Sequence, residues 1–415
     1  MAGSWVRGAD GSGFGLENLP YGVVRGADGS GRVAVRIGEY ALDLAAVAQA
    51  GLLDGDDVFA QPTLNAFLEL GPAAWSATRA RVTELLSAGN SEIAYVPELA
   101  RRALLPLDGV QAVLPIEVAD YVDFFSSIEH ASNAGRIFRP DAEPLSPNYR
   151  ALPVGYHGRA ATVVVSGTPV RRPCGQRAPE QSGAAPTFGP ERALDVELEL
   201  GFVTGPGPRS GAPIPTSDAE RVIFGFVLLN DWSAREIQRW ESQPLGPFLG
   251  KSFATSIAPW IVPLAALEPL RVAGVEQSPR PLEHLAVSEP WALDIDFELA
   301  IVPADSGVET VVSRMNSRGL YWNAAQQLAH ATSNGAVVRA GDLFGSGTIS
   351  GPEPGTLGCL LELSWGGRDQ IALDDGSTRT FLQDGDTVVI RGAGERGATR
   401  ISLGDLRGQV LPPDR

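Results

Sequence analysis

Leu194-Asp195-Val196-Glu197-Leu198-Glu199-Leu200 alternates carboxylates with aliphatic side chains without a break, which is the period-two pattern of a half-buried β-strand. On such a strand Glu197 and Glu199 leave one face, with Cα atoms about 6.6 Å apart, because each residue rises about 3.3 Å. Both side chains can then reach one divalent cation at about 2.0–2.6 Å per oxygen. A strand with a solvated polar face has the same pattern. The segment reads as half of an all-carboxylate metal site only in the company of further acids.

Two other segments supply that company. In Asp120-Tyr121-Val122-Asp123-Phe124-Phe125-Ser126-Ser127-Ile128-Glu129-His130, a helical path from Asp123 onward puts His130 two turns away on the same side, so that a ligand and a base face one cavity. In Asn230-Asp231-Trp232-Ser233-Ala234-Arg235-Glu236-Ile237-Gln238, Asp231 closes an apolar strand running from Val222 to Leu229 and stands where a helix would begin. Arg235 and Gln238 follow at spacings of four and three, on one helical face. Taken singly, each segment also fits an N-cap aspartate with polar surface neighbours.

The chain has 415 residues, enough for a sizeable core and for two domains or one unusually large one. No apolar run approaches the ~20 residues that cross a bilayer, so membrane spanning is excluded. Met1-Ala2-Gly3-Ser4-Trp5 lacks the basic and apolar regions of a secretory signal, and a cytoplasmic location is the expectation. Cys174 and Cys359 form no CxxC pair and read as ordinary thiols of a reducing compartment. A formal charge of −16 argues against nucleic acid or anionic lipid as partners, since phosphate binding needs clustered Lys and Arg. Such a chain meets an anionic small molecule with local positive charge, and Arg139, Arg235 and Lys251 are the candidates.

Residues 1–115 read as a separate unit, with short strands at Gly31–Gly38 and Glu39–Leu44 divided by Gly and Asp turns and a helix from Trp75 to Ala88. A small barrel or sheet fits that texture. From 116 to 415 the strands lengthen (Ala161–Val165, Val222–Leu229, Trp291–Val302), and Pro- and Gly-rich loops separate them. A late helix is expected over Met315–Ala331. The fold class is therefore mainly β with some α, an α+β architecture. There is no GxSxG elbow, Walker lysine, HExxH or EF-hand loop. Gly205-Pro206-Gly207-Pro208 is a loop, because proline blocks the helix that a dinucleotide site needs. Gly345-Ser346-Gly347-Thr348-Ile349-Ser350-Gly351 is a tight loop that can offer Thr348 to a substrate carboxylate. His157, His284 and His330 read as structural, and Asp294 with Asp296 as a solvated strand face.

The Asp120–His130 segment resembles the fumarylacetoacetase family, the carbon–carbon bond hydrolases of tyrosine and phenylalanine breakdown. The likeness extends to Gly155-Tyr156-His157-Gly158-Arg159, Asp195–Glu199, Asn230–Arg235, Pro247-Phe248-Leu249-Gly250-Lys251-Ser252-Phe253, Ser346–Gly351 and Leu361-Glu362-Leu363-Ser364-Trp365. It runs from Asn18-Leu19-Pro20-Tyr21-Gly22 to Val410-Leu411-Pro412, nearly the whole chain. It implies a small N-terminal β-barrel domain, a β-rich catalytic domain of that family's type, and a homodimer. By position, Asp123, Glu197, Glu199 and Asp231 would bind Ca²⁺ or Mg²⁺, with Lys251 and Thr255 beside it. His130 would be the general base, oriented by Glu362. Arg235, Gln238 and Lys251 would stabilise an oxyanion, and Arg139, Tyr156 and Thr348 would hold substrate. Where the family pattern carries two substrate-binding tyrosines, this chain has Phe125 and Ser242, which points to a larger, less polar or differently placed acyl group.

The chemistry implied is coherent. Hydrolysis of a β-diketone needs water to attack one carbonyl and a carbanion to leave, and a divalent ion stabilises the departing electrons as an enolate. Carboxylates select a hard cation over zinc, which prefers nitrogen and sulfur. A neutral imidazole takes a proton from water near pH 7, and a carboxylate fixes its tautomer. The expectation is cleavage of 4-fumarylacetoacetate to fumarate and acetoacetate. The alternatives are another diketone or an acylpyruvate handled by hydrolysis, decarboxylation or enolate bond formation, or a metal-stabilised scaffold without catalysis.

Overall fold

Nine consecutive buried residues, Ile223–Asp231, form a strand with both faces covered, which is why its sequence is apolar without alternation as far as Leu229. In the computed structural model, which describes residues 3–26, 29–181 and 183–414, this strand lies in the middle of a 13-stranded sheet. Met1 and Ala2 of the N-terminal stretch lie outside the described residues. On one side it pairs antiparallel with Leu198–Thr204, which pairs with Leu343–Gly345; that strand runs parallel to Tyr121–Phe124, and Gly155–His157 forms the edge. On the other side stand Thr255–Ile257 and Trp260–Pro263. Phe202 and Phe344 stack across the central strands with centroids 4.8 Å apart. Each such fully buried side chain contributes about 1.5–3 kcal/mol.

The N-terminal strands form an antiparallel ladder, in the order Leu104–Pro106, Tyr40–Asp43, Gly31–Ile37, Tyr21–Arg25. Gln111–Val113 returns to the far edge of Tyr21–Arg25. Among the described residues no ladder joins Leu104–Pro106 to Gln111–Val113, so the expected barrel is an open curl. Part of the same far edge is taken by the large sheet, with Tyr21 opposite Ile261 and Gly22 opposite Trp260. A Cβ at Gly22 would lie 2.6 Å from the Pro259 carbonyl oxygen and from the Trp260 ring, which explains glycine at the crossing. A second, 5-stranded sheet carries Thr310–Asn316, Asp296–Val302, Thr387–Arg396, Thr399–Leu411 and Val170–Arg171.

Several elements differ from expectation. The helix expected over Met315–Ala331 is three elements: the end of strand Thr310–Asn316, a 3-10 turn at Ser317–Gly319, and a helix over Ala324–Thr332. Two asparagine caps divide it: the Asn316 side chain accepts from Arg318 N at 2.8 Å, and Asn323 forms a capping box with Gln326. Trp291–Val302 breaks into Trp291–Leu293 and Asp296–Val302, and only Val163–Val165 of the Ala161 segment is strand. The helix expected over Trp75–Ala88 spans Pro72–Leu86, with proline in its first turn and Val82, Leu85 and Leu86 buried. No helix of the described residues is long and apolar enough to cross a membrane.

Candidate metal centre and active site

Asp123 ends up over the central sheet because Tyr121–Phe124 is a strand, not the start of a helix; the helix carrying His130 begins only at Ile128. Its register sets Asp123 opposite Gly345. Glu199 stands one strand further on, beyond the glycine-bearing Leu343–Gly345. A Cβ at Gly345 would lie 2.5 Å from Asp123 Oδ1 and 2.6 Å from Glu199 Oε2, so glycine is what lets the two carboxylates meet above the intervening strand. Asp231 closes its strand opposite Thr255. Glu197 falls in a break, between strands Leu194–Asp195 and Leu198–Thr204, and bridges to Cys359. The expected half-buried strand is therefore corrected: Asp195, Glu197 and Glu199 are all buried. Both glutamates nevertheless enter one cluster, in which ligand oxygens of Asp123, Glu197, Glu199 and Asp231 lie within 4.8 Å of one another.

The cluster has two electrostatic halves. Lys251 Nζ donates to Glu197 Oε2, and to Asp231 Oδ2 at 2.7 Å, while Arg235 Nη1 lies 2.8 Å from Glu197 Oε1. Burial disfavours the Glu197 carboxylate, but Lys251 and Arg235 outweigh it and hold the group well below the usual range. The same acids, Asp231 and Glu197, hold the buried Lys251 ammonium charged. Asp231 also accepts from Tyr156 Oη at 2.5 Å and from Thr255 Oγ1 at 3.0 Å. Burial, then Asp231 and Asp123, push the Tyr156 phenol well up, which keeps it a donor. On the other half, Asp123 and Glu199 share one donor, Gly347 N, at 3.1 and 3.0 Å. Burial and neighbouring acids push both carboxyls well up. Glu199 Oε1 is buried with no hydrogen-bond partner. An orphaned oxygen beside an uncompensated carboxyl pair, in an all-oxygen donor set, fits a hard divalent cation.

His130 lies in the first turn of the Ile128–Phe138 helix, whose N-cap Ser127 accepts from His130 N at 3.3 Å. Its Nδ1 is 2.6 Å from Glu362 Oε2. Burial disfavours that carboxylate, but His130 and donors from Asn133 and Ser350 win and keep its pKa low. In the neutral imidazole, the 2.6 Å contact with a carboxylate oxygen puts the proton on Nδ1 and leaves Nε2 as the acceptor.

A cavity of about 420 Å³ joins the two groups; its lining includes Asp123, Glu197 and Lys251 together with His130. Phe125, Arg139, Tyr156, Arg235, Gln238, Ser242 and Thr348 line it too. Glu199, Asp231, Thr255 and Glu362 are not part of its lining: Glu199 and Asp231 belong to the carboxylate cluster beside it, Thr255 touches Asp231, and Glu362 touches His130. Thr348 Oγ1 is buried and unpartnered. The Phe125 ring meets the His130 imidazole edge-on at 5.1 Å. The Arg235 side chain is bound on its far side, Nε donating to Asp195 Oδ2 at 2.8 Å and Nη1 to Gln238 Oε1 at 3.1 Å.

Three contributors escape the sequence reading. Asp195, quoted only for its place in the alternation, accepts from Leu360 N and Leu361 N at 2.7 and 2.9 Å and so ties Arg235 to the Glu362 helix. Cys359, read as an ordinary thiol, lies 3.1 Å from Glu362 Oε2 and 3.9 Å from His130 Nδ1. Burial, then Glu362, push its thiol well up, so it is a donor, not a nucleophile. Arg239 lines the cavity; its i+4 spacing from Arg235 was the available signal.

The comparisons with known proteins agree with this architecture. The model for the fumarylacetoacetase N-terminal region matches residues 17–115, and that for the fumarylacetoacetate hydrolase C-terminal region matches 121–411. The chain is 47% identical to the fumarylacetoacetase of Bos taurus over 99% of both chains. It is 46% identical to that of Homo sapiens, again over 99% of both. Among solved structures, a fumarylacetoacetate hydrolase from the psychrophilic Exiguobacterium antarcticum superposes with a TM-score of 0.55 at 16% identity, covering 95% of this chain and 99% of that one. At that identity it speaks for the fold alone. With both models matched and nearly half the residues shared from end to end, the chain belongs to the fumarylacetoacetase family.

Proposed function

We propose that this protein hydrolyses the carbon–carbon bond of a β-diketo acid, 4-fumarylacetoacetate first among them, to fumarate and acetoacetate. The observation that carries the reading is one cavity lined both by Asp123 and Glu197, of a carboxylate cluster of 4.8 Å span, and by an imidazole 2.6 Å from a buried carboxylate. His130 Nε2 takes a proton from water while Glu362 steadies the imidazolium. The water oxygen bonds to the attacked carbonyl carbon. The carbon–carbon bond then breaks, its electron pair leaves with the acetoacetate fragment, and the proton taken up by His130 passes to that fragment's carbon, restoring the neutral imidazole. Gln238, turned by Arg235, and the remaining N–H of Lys251 donate to the tetrahedral oxyanion. Thr348 and Arg139 hold substrate, and Tyr156 orients Asp231. Ca²⁺ or Mg²⁺ held by Asp123, Glu197, Glu199 and Asp231 would stabilise the departing enolate.

The family's full-length likeness and the separate matches over 17–115 and 121–411 support a division near residues 115/116. Trp240, Leu245, Phe248 and Leu249 are exposed, in the same stretch of chain as the cavity-lining Ser242, Gln243 and Pro247, and support a homodimer, which light scattering would test. Two unpaired cysteines support a reducing, cytoplasmic location. A second reading, a related diketone or acylpyruvate, is favoured by Phe125 and Ser242 in the lining, which offer no phenol to the substrate. Assaying fumarylacetoacetate beside an alkyl diketo acid, each with and without added Mg²⁺ or Ca²⁺, separates the two. Absence of metal-dependent turnover with either would reject both.

A further inference from the structure

Two helices frame the cavity, each with one face. The Ile128–Phe138 helix and its cap offer Ala131, Ala134, Gly135, Phe138 and Arg139, at the 3,1,3,1 spacing of a single stripe. The Arg235–Glu241 helix and its cap offer Arg235, Gln238, Arg239 and Ser242, the same stripe on the facing element. Arg239 is therefore on the cavity side of its helix, and its guanidinium carbon lies 5.1 Å from the Phe138 ring centroid, touching the other helix. Arg139 caps that other helix nine residues past His130, about 13 Å of helix rise away.

Arg139 and Arg239 are exposed, whereas Arg235 and Lys251 on the same cavity are buried and already bound to acids. Among the described residues neither exposed guanidinium has a carboxylate within ion-pair distance. Among these residues the Arg139 guanidinium donates only to the Pro144 carbonyl, at 3.1 Å. In a chain of net charge −16, two unneutralised guanidiniums on one cavity make a local anion receptor, and their forked donors match a carboxylate.

We propose that Arg239 is a specificity-determining residue: with Arg139, it receives a carboxylate on the substrate's acyl arm, at the exposed end of the cavity. Ser242, one turn on, leaves that end open to the arm. The inference rests on the diketone reading and deepens it by assigning the residue that recognises the anionic end of the acyl arm.

The test compares the wild type with Arg239→Gln and Arg239→Lys on two diketo acids, one whose acyl arm ends in a carboxylate and one whose arm ends in a methyl. Arg239→Gln is expected to raise KM for the first about tenfold or more, the worth of one charge-assisted hydrogen bond, with kcat nearly kept. It should leave the second within about twofold, and Arg239→Lys should recover part of the loss. A rise shared by both substrates, or none with either, would overturn the proposal. Equilibrium titration with fumarate, in wild type and Arg239→Gln, reads the contact without turnover. If neither substrate were hydrolysed, the functional reading would fail, and unchanged fumarate affinity in Arg239→Gln would then sink the receptor too.

Discussion

Two stretches of this chain are written in the same code and end in opposite surroundings. Asp195, Glu197 and Glu199 alternate with apolar residues, and so do Asp294, Asp296 and Glu298. The first three are buried, and Glu197 alone touches two cations. Asp296 is exposed and accepts from Asn316 Nδ2 at 2.8 Å, while Glu298 pairs with Arg314 at the surface. Alternation fixes which way a side chain points but not what it meets. The difference comes from the neighbours: the Glu199 strand is central in the large sheet, whereas the polar face of Asp296–Val302 meets Asn316, the exposed Arg314 and the half-exposed Arg391.

The comparison breaks hardest at Glu199. Glu199→Gln removes a carboxylate whose Oε1 has no protein partner. It should lower turnover about a thousandfold, several kcal/mol of transition-state stabilisation. Metal content after dialysis, measured by elemental analysis, should fall with it; retained metal with full activity would assign the cluster a structural role. Glu362→Gln keeps the shape of the His130 partner but loses its charge. The expected loss in kcat is about a hundredfold, since positioned general-base catalysis contributes about 10²–10⁴.

A third effect separates the halves of the cluster by pH. Burial and neighbouring acids raise the Asp123 and Glu199 carboxyls, so above the ordinary carboxylate range the metal-free native state holds protons that the unfolded chain has released. Its stability from these groups is present at low pH and falls as pH rises toward the raised values. A cation binds the ionised form, so its stabilisation grows over the same window, reaching about 2.7 kcal/mol at a hundred times its Kd. Melting curves with chelator and with Mg²⁺ or Ca²⁺, from pH 5 to 8, check both slopes. A chelated protein that grew more stable with pH would contradict this account.

The elements that carry the site were legible in unequal measure. The Asp231 strand and the Arg235–Gln238 face were readable because an apolar run ending in a polar turn has few alternatives. Asp123 was mistaken for a helical residue, since Tyr121–Phe124 pairs parallel with a strand more than 200 residues later, and no local period records such a partner. Strand spacing left barrel or sheet open for the N-terminal unit, because it shows hairpins, not which edge a neighbouring sheet will occupy. Met315–Ala331 reads as one helix until Asn316 and Asn323 are seen as caps. Asp195 and Cys359 went unassigned for a related reason: each works through a buried partner distant in the chain.

Cys359 sharpens the comparison at smaller scale. Its thiol shares Glu362 Oε2 with His130 and with Ser350 Oγ at 2.7 Å. Cys359→Ser keeps a donor at that place and should change kcat by no more than about threefold, within the net worth of one neutral hydrogen bond. Cys359→Ala should do more, by leaving Glu362 one donor short.

The smallest effect belongs to the look-alike strand. Asp296→Asn keeps the volume and the acceptor for Asn316, removes a charge in solvent, and touches nothing that reaches the cavity. Its stability change should stay within about 0.5 kcal/mol, with turnover and metal content unaltered. An Asp296→Asn enzyme that lost metal or activity would mean that the alternating acids of the 5-stranded sheet communicate with the cluster. The contrast between a buried, cation-bound row of carboxylates and a solvated one would then no longer explain why only one of them does chemistry.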